Sequence, residues 1–182
     1  LVFFDLPFYY NELERYKITK EVPQAKEITK NIINFFNDKE DLTYSFTERE
    51  KIHLSDIRDL SRSFAILFYI LLVMFIFYLF HLIFLKQYKK IAISFKFGGI
   101  ITLIILLIIM LSTKINFDSF FTQIHLVLFN NDYWLLPEDS TLIKLFPLNF
   151  FQDAIKRIIL NSSLFSIGFI IIGFVLEKWK RK

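Results

Sequence analysis

The sequence predicts an all-α protein, a polytopic transmembrane helical bundle with further helical segments outside the bilayer, and three observations carry that reading. Of 182 residues, 54% are apolar and 24 are Phe against only 4 Gly, where a soluble domain holds roughly 45 to 50% apolar residues. The mean hydropathy is +0.45. The apolar residues are gathered into long uncharged runs, and the basic residues between those runs are concentrated in two short segments.

Segment 1–63 is read as an outer helical segment. It opens on "LVFFDLPFYY", which reads as the end of an apolar stretch, so a fourth, N-terminal span truncated from this sequence is expected before Leu1. "VPQAKEITKNIINFF" places Pro23 at a first helical turn and spaces Ala25, Ile28, Ile32 and Phe36 three or four apart, the pattern of an amphipathic helix suited to lie on a bilayer or to cover the outer ends of the spans. In "FTEREKIHLSDIRDL" Thr47 precedes Glu50 by three residues, a capping-box signature. A helix starting there can run unbroken into the next segment.

The run 64–85 has no formal charge over 22 residues, enough for the roughly 20 that an apolar helix needs to cross the hydrocarbon core. Segment 86–96 follows as a basic loop, then 97–113 and 158–176 as spans of 17 and 19 residues. The shorter one is expected to begin nearer Ile91, with Lys96 snorkelling its ammonium to the interface. Between these two spans, segment 114–157 is a second outer segment. It holds a helix over 118–129 with Asp118 or Ser119 as cap, then caps at Asp139 or Ser140 and at Asn149, with Pro147 separating two short helical turns.

Charge sets the orientation. The loop 86–96 and the tail 177–182 hold eight basic residues, Lys86, Lys89, Lys90, Lys96, Lys178, Lys180, Arg181 and Lys182, against one acid, Glu177. Segment 1–63 has ten basic and twelve acidic residues, and the second outer segment four and five. The positive-inside rule therefore places 86–96 and the tail in the cytoplasm and both outer segments outside it. The net charge of +4 comes from these anchors and forms no basic stripe interleaved with exposed aromatics, so nucleic acid is not an expected partner. With no cysteine, disulfides, thiolate metal sites and cysteine nucleophiles are excluded together.

On a helix starting at Thr47, the side chains of Glu50, His53 and Asp56 fall three apart on one face. Flanking carboxylates raise a histidine's pKa or fix its tautomer, as a base in catalysis requires, and a solvated, charge-paired helix entrance is the competing reading. His125, with Phe121 and Leu128 on its own face, reads alone as a buried core histidine. Taken with His53, though, it makes two histidines at the same outer membrane boundary, able to share the proton work of one transfer. His81 falls near the other end of its span and reads as interfacial and structural. "NNDYWLLP" puts Trp134 where an interfacial aromatic anchor is expected. HExxH, GxSxG and P-loop patterns are absent, and His53 and His125 with Glu50 or Asp56 are the one conceivable metal-donor set.

Arg49, Glu50, His53 and Asp56 ahead of one span, with His125, Asn131, Asp132, Trp134, Leu142, Ile143, Pro147, Phe150 and Phe151 ahead of the last, form a pattern that resembles the two signature regions of the lipoprotein intramolecular transacylase family. The resemblance covers nearly the whole chain. It implies four spanning helices in the plasma membrane and a site on the extracytoplasmic side. It also implies a reaction in which the sn-2 acyl chain of a diacylglyceryl-modified lipoprotein cysteine moves to that cysteine's own α-amino group. His53 and His125 match the catalytic histidines, with Arg49, Glu50 and Asp56 in support and Asn131, Trp134 and Pro147 at the substrate. Lipoprotein and membrane lipid are the implied partners, with no cofactor and no metal. Two other classes stay open: a non-catalytic membrane scaffold, which would leave the two histidines far apart, and a metal-dependent membrane hydrolase.

Overall fold

A computed structural model describes residues 5–179. Eight helices follow one another, with no strand among the described residues: α1 Leu6–Arg15, α2 Ile18–Glu21, α3 Ala25–Phe36, α4 Glu48–Phe84, α5 Tyr88–Ile115, α6 Phe117–Leu128, α7 Thr141–Leu145 and α8 Leu148–Trp179. They fall into two compact units, one of residues 1–64 and 118–154, the other of 65–117 and 155–182.

The first unit carries a water-soluble style of core. Asp5 caps α1 by accepting from the Phe8 backbone N–H at 3.3 Å, and α3 turns Ala25, Ile28, Ile32, Ile33, Phe35 and Phe36 inward. Those side chains join Phe8, Leu13, Phe46, Leu54, Leu142, Leu145 and Phe150 in one buried cluster. The amphipathic helix expected to lie on a bilayer or to cover the outer ends of the spans packs its apolar face into the core of its own unit, and its buried arc is wider than a single stripe because Thr29 and Asn31 are enclosed as well. Asn31 is satisfied there: its Nδ2 donates to Glu40 at 3.0 Å and to the Asp41 carbonyl at 2.9 Å, and its Oδ1 accepts from Thr43. Pro23 lies in the turn ahead of α3.

The capping box forms as read. Thr47 Oγ1 accepts from the Glu50 N–H at 3.2 Å, Glu50 Oε2 accepts from the Thr47 N–H at 2.8 Å, and α4 then continues without a break for 37 residues. Ser140 caps α7 by accepting from Ile143. The expectation of two short turns around Pro147 is corrected. Pro147 precedes α8, its carbonyl accepts from Phe150, and the second short turn is the opening of a 32-residue helix.

In the second unit, three helices are long and apolar enough to cross a membrane by length and composition. Apolar side chains cover most of their outer surface, Phe77, Phe80, Phe84 and Phe165 among the most exposed, as hydrocarbon-facing helices require. The second span starts at Tyr88, earlier than Ile91, because only residues 85–87 interrupt the helices. Lys86 takes the left-handed conformation there (φ 55°), and the Gln87 N–H closes the turn on the Leu82 carbonyl at 2.8 Å. Lys96 does not end in solvent: its Nζ reaches Glu177 at 2.5 Å and lies over the Phe174 ring. A side chain at Gly99 would meet the Ser166 carbonyl at 2.6 Å, and one at Gly173 the Ala92 carbonyl at 2.7 Å, so these glycines set how closely α5 and α8 approach. His81 is exposed in the last turn of α4.

Candidate active site

Within the first unit, α4 and α6 bring two histidines together. The rings of His53 and His125 lie 6.1 Å apart between centroids, inclined at 37°. Both line a cavity of about 140 Å³ whose other walls are mainly apolar, with Leu54, Ile57, Leu136 and Phe150 among them.

His125 stands in the last turn of α6, where a helix C-terminus favours positive charge. Its Nδ1 lies 2.7 Å from the carbonyl of Phe121, one turn back. A carbonyl only accepts, so in the neutral ring Nδ1 carries the hydrogen and Nε2 keeps its lone pair. Phe121, Phe129 and Trp134 pack around the ring at centroid distances of 4.2, 5.6 and 4.9 Å. His53 is 7% exposed and lies ahead of the uncharged run of α4. It meets Phe129 edge-on at 5.2 Å, and its Nδ1 is enclosed without a hydrogen-bond partner. Burial pushes His53 down to about 4; the neighbouring His125 adds to the fall, and the Asp56 carboxylate pulls it partly back. Burial also lowers His125, against the pull of the Phe121 carbonyl. Both imidazoles are therefore neutral near pH 7.

The polar residues beside His53 are spent on holding two stretches of chain together. Glu50, 1% exposed, accepts from Thr47 twice through Oε2 and from the Leu142 N–H at 3.0 Å through Oε1. Arg49 donates through Nε to the Leu135 carbonyl at 3.0 Å and through Nη2 to the Asp132 carbonyl, with its guanidinium over the Tyr133 ring. Asp56 Oδ2 accepts from Asn131 Nδ2 at 2.9 Å, and Asn131 Oδ1 accepts from the Tyr133 N–H. Three residues from the first turns of α4 thus grip the 131–142 stretch that carries Trp134 past His125. Of the residues expected at the substrate, Trp134 lines the cavity, whereas Asn131 is engaged with Asp56 and Pro147 stands at the head of α8. Trp134, read as an interfacial anchor, packs against His125 with the two rings tilted at 35°. No group of three His, Asp or Glu side chains at metal-binding spacing forms among the described residues.

The family model described as lipoprotein intramolecular transacylase Lit matches residues 1–151. The chain belongs to the lipoprotein intramolecular transacylase family. The structure of the membrane integral lipoprotein intramolecular transacylase Lit from Bacillus cereus is similar to it at a TM-score of 0.86 and 25% identity, covering 99% of this chain and 86% of that one. A structure of the Bacillus cereus protein with a histidine-to-alanine substitution shares the fold at a TM-score of 0.81 and 24% identity, over 99% of this chain and 84% of that one. An uncharacterised protein of Aquifex aeolicus (strain VF5) is 27% identical over 135 residues, 74% of this chain, and the chain spans 59% of that curated relative's length. Family membership agrees with the all-α, polytopic membrane fold.

Several features of this family member had no signal in the sequence. The Phe121 carbonyl that fixes the His125 tautomer is a backbone group, and although the helix itself was predicted, no spacing rule says that the ring turns its Nδ1 to it. The packing of Phe129 against both imidazoles and the reach of Glu50 to Leu142 depend on tertiary structure alone.

Proposed function

We propose that this chain is a lipoprotein intramolecular transacylase that moves the sn-2 acyl chain of a diacylglyceryl-modified cysteine to the α-amino group of the same cysteine. The observation that carries the reading is the meeting of His53 and His125, from separate segments, at 6.1 Å over one apolar cavity. A non-catalytic scaffold gives no reason for that convergence, and the family's name supplies the reaction class.

Donor ester and acceptor amine belong to one substrate, so holding them together supplies several kcal/mol and no enzyme nucleophile is needed. The α-ammonium, with an ordinary pKa of about 7.7 to 8.0, gives up one proton to solvent before reaction. The free amine then attacks the ester carbonyl carbon. His125 Nε2, whose lone pair is left by the Nδ1 contact to Phe121, takes the second proton as the C–N bond forms. As the C–O bond breaks, that proton returns to the departing glyceryl oxygen through His53, and both imidazoles end neutral. The positive charge resides meanwhile on His125, at the α6 C-terminus, since burial resists an imidazolium at His53. Arg49, Glu50 and Asp56 act as positioning residues through their ties to 131–142.

The charge asymmetry supports placing the site on the extracytoplasmic side of the plasma membrane, with acyl tails in hydrocarbon and the reacting amine at the headgroup level. The experiment is expression of the protein and its His53→Asn and His125→Asn variants with a reporter lipoprotein, followed by mass spectrometry of the lipidated cysteine. The parent is expected to give N-acyl, lyso-glyceryl product. Either variant, with its melting transition retained, is expected to give at least a hundredfold less; full activity in both ends the proposal.

A further inference from the structure

The transfer needs one group that the two histidines do not supply, a donor for the oxygen that becomes negative when the amine adds to the ester carbonyl. In an apolar cavity such a donor acts without competition from water and strengthens as charge develops. The cavity lining offers few polar hydrogens. Besides the histidines, only Tyr9 and Trp134 carry one, and the Tyr9 ring packs between Phe146 and Phe150 at 5.8 and 5.1 Å. Trp134 is different. Its ring lies on His125 at 4.9 Å, and its Nε1 is enclosed with no acceptor in reach. A buried donor left without an acceptor loses its hydration with nothing in return, and native structures leave few of them.

The neighbourhood is built to hold that indole. The Leu136 N–H closes a turn on the Trp134 carbonyl at 3.0 Å, and the Leu135 N–H closes another on the Asp132 carbonyl at 3.1 Å. Arg49 binds the Asp132 and Leu135 carbonyls on either side of Trp134. A residue serving only as an interfacial anchor calls for neither clamp, nor for close packing against an imidazole. From these observations we infer that Trp134 is a further catalytic residue, its indole N–H donating to the ester carbonyl oxygen as that oxygen becomes an oxyanion beside the two imidazoles. The inference rests on the transacylase reading. It assigns the oxygen's partner in that reaction, and the ring contact gives His125 and the donor a fixed mutual position, so that proton acceptance and oxyanion stabilisation occur over the same carbon.

The test is Trp134→Phe, which keeps an aromatic ring against His125 and removes the N–H. Transfer is followed on a diacylglyceryl lipopeptide by mass spectrometry. The variant is expected to lose about 10²- to 10³-fold in kcat, as when one oxyanion donor is removed, with KM within about twofold, the pattern of an interaction made only in the transition state. A second measurement does not depend on the variant folding. In a Trp179→Phe background, where Trp134 is the remaining tryptophan, a phosphonate analogue of the glyceryl ester is expected to shift the ¹⁵N-indole proton downfield, and the uncharged ester-to-ether analogue to leave it in place. A folded Trp134→Phe protein with undiminished kcat, or an indole resonance indifferent to the phosphonate, overturns the inference. Absence of transfer by the parent protein overturns instead the transacylase reading beneath it.

Discussion

The imidazoles of His53 and His125 are deprived of water on most sides, and the consequence is measurable as a pH dependence. His53 falls from its ordinary 6.5 to about 4, and His125 also falls. Above pH 6.5 both folded and unfolded chains hold these rings neutral, so their contribution to stability is fully present. As pH drops from 6.5 towards 4, the unfolded chain binds protons that the folded chain refuses, and stability is lost across that window. For His53 the loss is on the order of 2 to 3 kcal/mol. The melting temperature of the detergent-solubilised parent is therefore expected to decline through this range, more steeply than that of His53→Gln. The transfer rate, already falling below about pH 8 as the substrate's α-amine is protonated, is expected to gain a second acid limb below about pH 6.5. Equal declines in the melting temperatures of both proteins contradict the buried, neutral pair.

Among the elements, the first turns of α4 decide whether the cavity forms. The Thr47–Glu50 half of this arrangement was legible, because a capping box is written in residues three apart. Its other half was not. Glu50 reaches the Leu142 N–H across 92 residues of sequence, and Asp56 reaches Asn131 across 75, distances over which no spacing rule operates. Spacing put Glu50 beside His53, and the structure turns its carboxylate to Thr47 and Leu142 instead. The contact of Trp134 with His125 was illegible for a related reason: an aromatic near a membrane boundary has a common use as an anchor, and its packing against His125 exists only after α4 and 131–142 are tied together. The cluster in which Asp153 accepts from Arg15 at 2.8 Å and from Tyr16 at 2.6 Å was invisible too, being composed of ordinary surface residue types. The energetic consequence is specific. Glu50→Ala removes the reciprocal half of the capping box and strands a buried N–H at Leu142, which together cost roughly 2 to 4 kcal/mol. Denaturant or thermal unfolding in detergent is expected to show that loss, with faster amide exchange at Leu142. A change below about 0.5 kcal/mol, the size of an ordinary surface substitution, would mean that the tie is not made.

For the molecule as a whole, the alternation of charge with apolar runs does more than mark helices. The compact units divide at 64/65, 117/118 and 154/155, close to the points where charged sequence gives way to the runs starting at Phe64 and Ile158 or ending at Thr113. Fold class was legible at this scale because burial in hydrocarbon demands unbroken apolar length, a property of sequence alone. Orientation rests on the same arithmetic. Eight basic residues against one acid in 86–96 and 177–182 are expected to stay in the cytoplasm, which sends 114–157 and the region around His53 across the membrane. The absence of cysteine makes this directly testable. Lys89→Cys and Glu138→Cys each put a lone thiol at an exposed position. In intact spheroplasts a membrane-impermeant maleimide is expected to label Glu138→Cys, and to label Lys89→Cys only after permeabilisation. The converse pattern would set the histidine pair against the cytoplasmic leaflet, and a lipoprotein whose modified cysteine faces the other side could not deliver its amine to His125.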